Sequence, residues 1–187
     1  MDAVFLRETQ AAVVIFDLEG GGALAADLAP LELGLALSRY YAHAEACIEG
    51  SGGRLVKFAG DAVVGTWLAN ETARPRQQAV AAVAAALRGR AQFLAACRAD
   101  GMPELAYAVA LAYGPILAGQ IGTERHTTFD VLGEPVNTAF KLAAAAQARR
   151  VDHLIAVPEK DLDLVEVEGI ELGGKQFRLF RLAEARL

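Results

Sequence analysis

The chain has 187 residues, 54% of them hydrophobic, and a formal net charge of −5. That length and apolar content suffice to bury one large core, so a single domain over residues 1–187 is expected. The acidic balance comes without a block of Lys or Arg, which excludes the electrostatic footprint of a nucleic-acid binder.

Asp2, Arg7 and Glu8 stand where a secretory signal would place a basic start and an apolar run, so export is not expected. The first strand is read at Ala11 to Leu18, an apolar, β-branched stretch that ends at Asp17 and runs into the glycine turn Gly20, Gly21, Gly22. A helix follows from Pro30 to Glu49: Leu31, Leu35, Tyr41 and Ile48 recur near helical spacing, Pro30 suits a first turn, and "GSGG" is the stop. Arg54 to Leu68 forms two β-like runs around "AGD", a hairpin with Gly60 and Asp61 at its tip.

An Ala-rich helix is read from Pro75 to Arg98. Its longest run of small apolar residues, Ala79 to Leu87, stops at Arg88, short of the roughly 20 residues a bilayer span requires, so no membrane segment is expected. Cys47 and Cys97 lie in apolar helical stretches without partners at metal-ligand spacing and read as reduced core residues of a cytoplasmic protein. Strands "LAYAVALAYG" and "ILAGQIG", a polar loop or hairpin tip "TERHTTF", a helix "VNTAFKLAAAAQARR", a strand "HLIAVP" and a closing pair "LVEVEGIEL" and "QFRLFRL" complete the chain. The order β-α-β-β-α-β with added C-terminal strands predicts an α+β fold, a ferredoxin-like core with helices packed on one face of the sheet.

Asp17 and Asp61 both leave buried strands where the backbone turns. In this topology the first strand and the hairpin can be neighbours, and two like charges held close repel unless a cation lies between them. Mg²⁺ takes one or two carboxylates plus water and substrate phosphates, so the pair suits a phosphate-bound metal. The Gly20, Gly21, Gly22 run lets backbone N–H groups approach an anion. An acid after a strand is also an ordinary turn or cap residue, and Asn137 and Lys141, one helical turn apart, are ordinary positions on a solvated helix face.

With these residues in view the chain resembles the catalytic domain of class III nucleotidyl cyclases, the adenylyl and guanylyl cyclases. The resemblance covers roughly Val13 to Val157 and rests on four blocks in order: "VVIFDLEG", "GGRLVKFAGDAVVGTW", "YGPILAGQIGTERHTTFDVLGEPVN", and "VNTAFKLAAAA" running on to "LIAVP". It implies a ferredoxin-like core working as a head-to-tail homodimer with active sites at the interface. It also implies two Mg²⁺ or Mn²⁺ ions per site held by Asp17 and Asp61, and ATP as substrate, read by Lys57 and Asp130. A Lys donor and an Asp acceptor complement adenine's ring nitrogen and exocyclic amine, and guanine presents the opposite pattern. Asn137 matches the transition-state asparagine. Because metal acids come from one chain and base-reading residues from the other, Lys57 and Asp61 would serve different sites.

The sequence departs from the family at Lys141, where an arginine is expected. Lys keeps the charge and loses the planar fork that grips two oxygens, which implies a slow enzyme. Gly20, Gly21 and Gly22 stand where the family often has Gly-Phe-Thr or Gly-Phe-Ser, and the family's C-terminal phosphate-contacting lysine aligns at Gly173, two residues before Lys175. The alternative is a degenerate cyclase-homology domain that binds nucleotide or dimerises without turnover. A cyclic-dinucleotide synthase is a remote third reading, because the hairpin lacks the Gly-Gly-Asp/Glu-Glu-Phe signature. His43, His126 and His153 read as structural, and Trp67 as a core or dimer contact. A regulatory segment or partner would lie outside this sequence.

Overall fold

Six consecutive residues, Ala11 to Phe16, are completely buried, and a strand covered on one side only cannot achieve that, because successive side chains point to opposite faces. The computed structural model of the chain describes residues 6–157 and 164–183. In it the buried run lies in β1 (Leu6–Leu18). Ala12, Val14 and Phe16 face a cluster that includes Tyr40 and Ile48 of helix α2 (Pro30–Glu49) and Val80 and Val83 of helix α3 (Pro75–Ala99). Ala11, Val13 and Ile15 face a second cluster that includes Ala139, Leu142 and Ala143 of helix α4 (Glu134–Ala148).

The remaining strands are β2 (Arg54–Ala59), β3 (Ala62–Leu68), β4 (Tyr107–Thr123), β5 (His126–Leu132), β6 (His153–Ala156), β7 (Leu164–Leu172) and β8 (Lys175–Leu182). They form one mixed sheet in the order β2-β3-β1-β4-β6-β8-β7, with β5 paired to β4. The β4 and β6 pair is parallel and the others are antiparallel. The run β1-α2-β2-β3-α3-β4 with order β2-β3-β1-β4 is the expected ferredoxin-like core, and its two helices share one face as expected. The expectation of helices on a single face fails for α4, which covers the opposite face. The uninterrupted apolar run of β1 requires that second cover.

Three boundaries also differ from the sequence reading. β1 starts at Leu6, because an exposed extension of the strand pairs along β4, with Leu6 opposite Gly119. The two strands expected before and after Pro115 are one strand, β4: Pro115 falls between the residues that pair with β6 and those that pair with β5, where a missing N–H interrupts neither ladder. The glycine turn after Asp17 contains a short helix, α1 (Gly21–Asp27), with no buried residue.

Among the described residues α3 is the one helix long and apolar enough to cross a membrane, yet its Ala79, Val80, Ala82, Val83 and Ala86 are buried in the core. Trp67 is buried and donates its indole N–H to the Ser51 carbonyl at 3.1 Å, so it belongs to the core. Cys47 and Cys97 are buried free thiols. His43 stacks on Phe93 and lies 2.7 Å from the Tyr107 hydroxyl. His153 is fully buried, and its Nε2 accepts the backbone N–H of Leu182 at 2.8 Å, tying β6 to β8. Of the strand read as "HLIAVP", Pro158 lies outside the described residues.

Candidate active site

The first strand and the hairpin bring the two acids to one end of the sheet. Asp17 sits opposite Ala62 in the β1–β3 ladder, and the N–H of Leu18 donates to the Asp61 carbonyl at 3.2 Å. Gly60 supplies the left-handed backbone of the turn, with φ +65°. The Tyr41 hydroxyl donates to the Gly60 carbonyl while its ring stacks on Phe58 at 4.2 Å, which fixes the turn presenting Asp61. Burial pushes the Asp17 carboxyl up to about 6, and the Asp61 charge adds to the rise. A divalent cation between the two acids removes that repulsion.

The glycine run is shaped by this pair. A Cβ on Gly21 would lie 2.6 Å from Asp61 Cγ, so only glycine lets α1 start this close to the acid. Gly20 takes φ +69° as the residue preceding α1, and Gly22 has open space around it. Among the described residues no group of three or more His, Cys, Asp or Glu gathers at one point. A site with two carboxylates fits Mg²⁺ or Mn²⁺ completed by substrate phosphates and does not fit a closed protein cage.

Lys57 on β2 and Asp130 on β5 meet directly. Lys57 Nζ donates to both carboxylate oxygens, at 2.8 and 2.7 Å, and Asp130 Oδ1 also accepts the backbone N–H of Val131 at 2.8 Å. The neighbouring Arg54 guanidinium covers the Phe129 ring at 4.4 Å, holding β5 against β2.

Asn137 and Lys141 are both exposed on α4, where spacing of one turn puts them on a common face. Lys141 Nζ reaches the β7–β8 turn, 3.5 Å from where a Cβ on Gly173 would stand. Lys175 points elsewhere, to Glu134 at 2.6 and 2.8 Å, next to the start of α4.

One contact to Asp17 was not anticipated from sequence. Gln147, near the C-terminal end of α4, donates its side-chain amide to Asp17 Oδ2 at 2.8 Å. Its signal is slight: it is the polar residue that interrupts the alanine run Ala143 to Ala148. The contact also measures the site. Asn137 and Gln147 lie on one continuous helix, so at 1.5 Å per residue the asparagine is about 15 Å from the end that touches Asp17. One chain therefore gathers the acids at one end of α4 and Asn137 with Lys141 toward the other.

A family model described as the adenylate and guanylate cyclase catalytic domain matches residues 5–177. The chain belongs to that family. The uncharacterized protein Rv1319c of Mycobacterium tuberculosis is 31% identical over 143 residues, covering 76% of this chain and 25% of that protein. The chain thus spans about a quarter of the length of the curated relatives it matches. The crystal structure of the adenylyl cyclase CyaB from P. aeruginosa superposes with a TM-score of 0.80 at 19% identity, over 96% of each chain. That of the guanylyl cyclase Cya2 gives 0.76 at 18% identity, over 93% of this chain and 91% of the other. An adenylyl and a guanylyl cyclase both share this fold, so the fold does not distinguish between the two activities.

Proposed function

We propose that this cyclase domain converts ATP to 3′,5′-cyclic AMP and pyrophosphate at the interface of a homodimer, with Asp17 and Asp61 of one chain working with Lys57, Asp130, Asn137 and Lys141 of the other. The observation that carries the reading is the apposition of Asp17 and Asp61, with burial and mutual repulsion raising the Asp17 carboxyl. The length of α4 between the acids and Asn137 supports the sharing of each site by two chains.

Bound between the acids, a pair of divalent cations would supply charge neutralisation on the phosphates and acidify the ribose 3′-hydroxyl. Asp17 and Asp61 would hold those ions. Lys57 releases Asp130 and donates to the adenine ring nitrogen, while Asp130 accepts from the exocyclic amine. Asn137 holds the ribose so that the 3′-oxygen faces the α-phosphorus. The new bond forms from that oxygen to phosphorus, the bond from the α-phosphorus to the bridging oxygen breaks, pyrophosphate leaves, and the hydroxyl proton passes to solvent. Lys141 lends its charge to the α-phosphate as negative charge shifts there.

A second reading, a nucleotide-binding or dimerising module without turnover, is favoured by one residue, Lys141 in place of arginine. Incubating purified protein with ATP or GTP and Mg²⁺ or Mn²⁺, then separating the products, decides between them. Cyclic AMP in excess over cyclic GMP supports the cyclase; no cyclic nucleotide with either metal supports the module. The greater length of the relatives supports a regulatory segment or partner acting on this domain.

A further inference from the structure

The amide of Gln147 makes two contacts with a single residue: it donates to Asp17 Oδ2 at 2.8 Å and to the Asp17 carbonyl at 3.3 Å. We infer that Gln147 is a positioning residue, which holds the Asp17 carboxylate in the orientation that shares a cation with Asp61 and ties that pair to the helix carrying Asn137 and Lys141. The inference rests on the cation-binding reading proposed above.

Packing does not force Gln147 to turn this way. The residue is half-buried, and it also lines a cleft of about 460 Å³ with Glu19, Arg90, Arg150, Val151 and Asp152, where its amide could be hydrated or meet other acids. Those acids are engaged by Arg90, at 3.4 Å to Glu19 and 2.5 Å to Asp152, so the amide is left to Asp17.

The chemistry of the donor matters as well. An amide restrains one carboxylate oxygen without adding charge, so the other oxygen stays available and an arriving cation meets no competing positive group. A lysine or arginine at this position would neutralise the acid instead. Orienting partners of this kind are a regular part of metal sites, where they fix the ligand before the ion binds.

The helix end that presents Gln147 is itself held. The N–H of Arg150 donates to the Gln147 carbonyl at 2.9 Å and that of Val151 to the Ala146 carbonyl at 2.9 Å, a Schellman closure with Arg150 at φ 54°. Arg149 reaches across to the carbonyls of Glu168 and Gly169 at 3.1 and 3.3 Å. Gln147 therefore projects from a fixed base, and its amide can restrain Asp17 rather than follow it.

The test is Mn²⁺ binding to the whole chain, read by electron paramagnetic resonance, in the unmodified protein and in Gln147→Met, which keeps length and stem but removes the donor. Removing an orienting partner of this kind typically weakens metal binding roughly 10- to 100-fold, and that loss is expected, with little change in melting temperature in cation-free buffer. A lower melting temperature with an unchanged Mn²⁺ constant would mean a structural role only and overturn the inference. A second readout needs no variant: on titration of the ¹⁵N-labelled unmodified chain with Mg²⁺, the Gln147 side-chain amide signal should shift along with ion binding. A signal that ignores bound Mg²⁺ would also overturn it. Failure of the unmodified chain to bind either ion would overturn this inference and the metal-site reading together, whereas an unchanged constant in Gln147→Met overturns this one alone.

Discussion

Lys57 and Asp130, distant in sequence, meet as a two-pronged ion pair, with Nζ at 2.8 and 2.7 Å from the carboxylate oxygens. The pair is partly exposed, and such pairs contribute only about 0–1 kcal/mol to stability. The proposed role of the pair is base recognition rather than folding stability. Replacing both, Lys57→Glu with Asp130→Cys, should reverse or erase a preference for ATP over GTP while moving the melting temperature little. Competition binding with both nucleotides checks this; equal binding of ATP and GTP by the unmodified protein would mean the pair does not read the base.

Lys141 is exposed on the same face of α4 as Asn137 and reaches the β7–β8 turn at Gly173. Lys141→Arg should raise turnover by restoring a second donor, and Lys141→Ala should lower it by up to about 100- to 1000-fold, the scale for a lost transition-state donor. Nucleotide affinity should stay nearly constant in both, the mark of a group that acts as charge shifts. Parallel losses in affinity and turnover would assign Lys141 to ground-state binding.

Substitution of Gly21 would strike Asp61 directly. A methyl there would press on Asp61, with Cγ 2.6 Å from the added carbon. Gly21→Ala should destabilise the fold by about 1–3 kcal/mol, as overpacking does, and weaken Mn²⁺ binding. Gly22→Ala, which meets open space, should do neither. Urea unfolding and Mn²⁺ titration of the two variants test the contrast.

Much of this was legible in the sequence. Asp17 ends an unbroken apolar run and Asp61 follows a glycine in a tight turn, so both strand ends could be placed from composition. Less legible was what depends on the far side of the sheet. The cover supplied by α4 follows from the burial of alternate residues in β1, but the Ala-rich helix has no strong apolar stripe to announce which face it takes. The short helix α1 buries nothing, so it has no periodic signal, and its glycines read as a turn. Pro115 splits the pattern of β4 although the backbone runs through it, because the missing N–H falls between two partners. Gln147 looked like any polar residue on a helix, since its partner lies 130 positions away.

Buried His153 and half-buried Asp17 bend stability with pH in opposite directions. Burial pushes His153 down to about 4 from 6.5, so between those values the unfolded chain binds more protons and stability falls as pH falls, by up to about 1.4 kcal/mol per pH unit. Asp17 is raised to about 6 from 3.8, so between those values the folded chain holds the extra proton and stability falls as pH rises. The unmodified chain should show a shallow net dependence between pH 4 and pH 6.5. Asp17→Asn should steepen the loss on acidification, and His153→Gln should make the protein less stable as pH rises toward 6. Urea midpoints at pH 4.5 and 6.5 for the three proteins give the signs, and the same slope in all three would contradict the assignment.

The central claim is that each active site is built from two chains, and mixing two inactive variants tests it most directly. Asp17→Asn removes a metal acid from one half-site and Asn137→Ala removes the ribose-holding group from the other, so each homodimer should be inactive. After co-refolding at equal amounts, half the dimers are mixed, and head-to-tail symmetry puts both lesions in one site and leaves the other intact. Cyclase activity should return to roughly a quarter of the unmodified value, since one site in two survives in half of the dimers. If mixed dimers form and the activity stays at the level of the separate variants, the two-chain site is wrong.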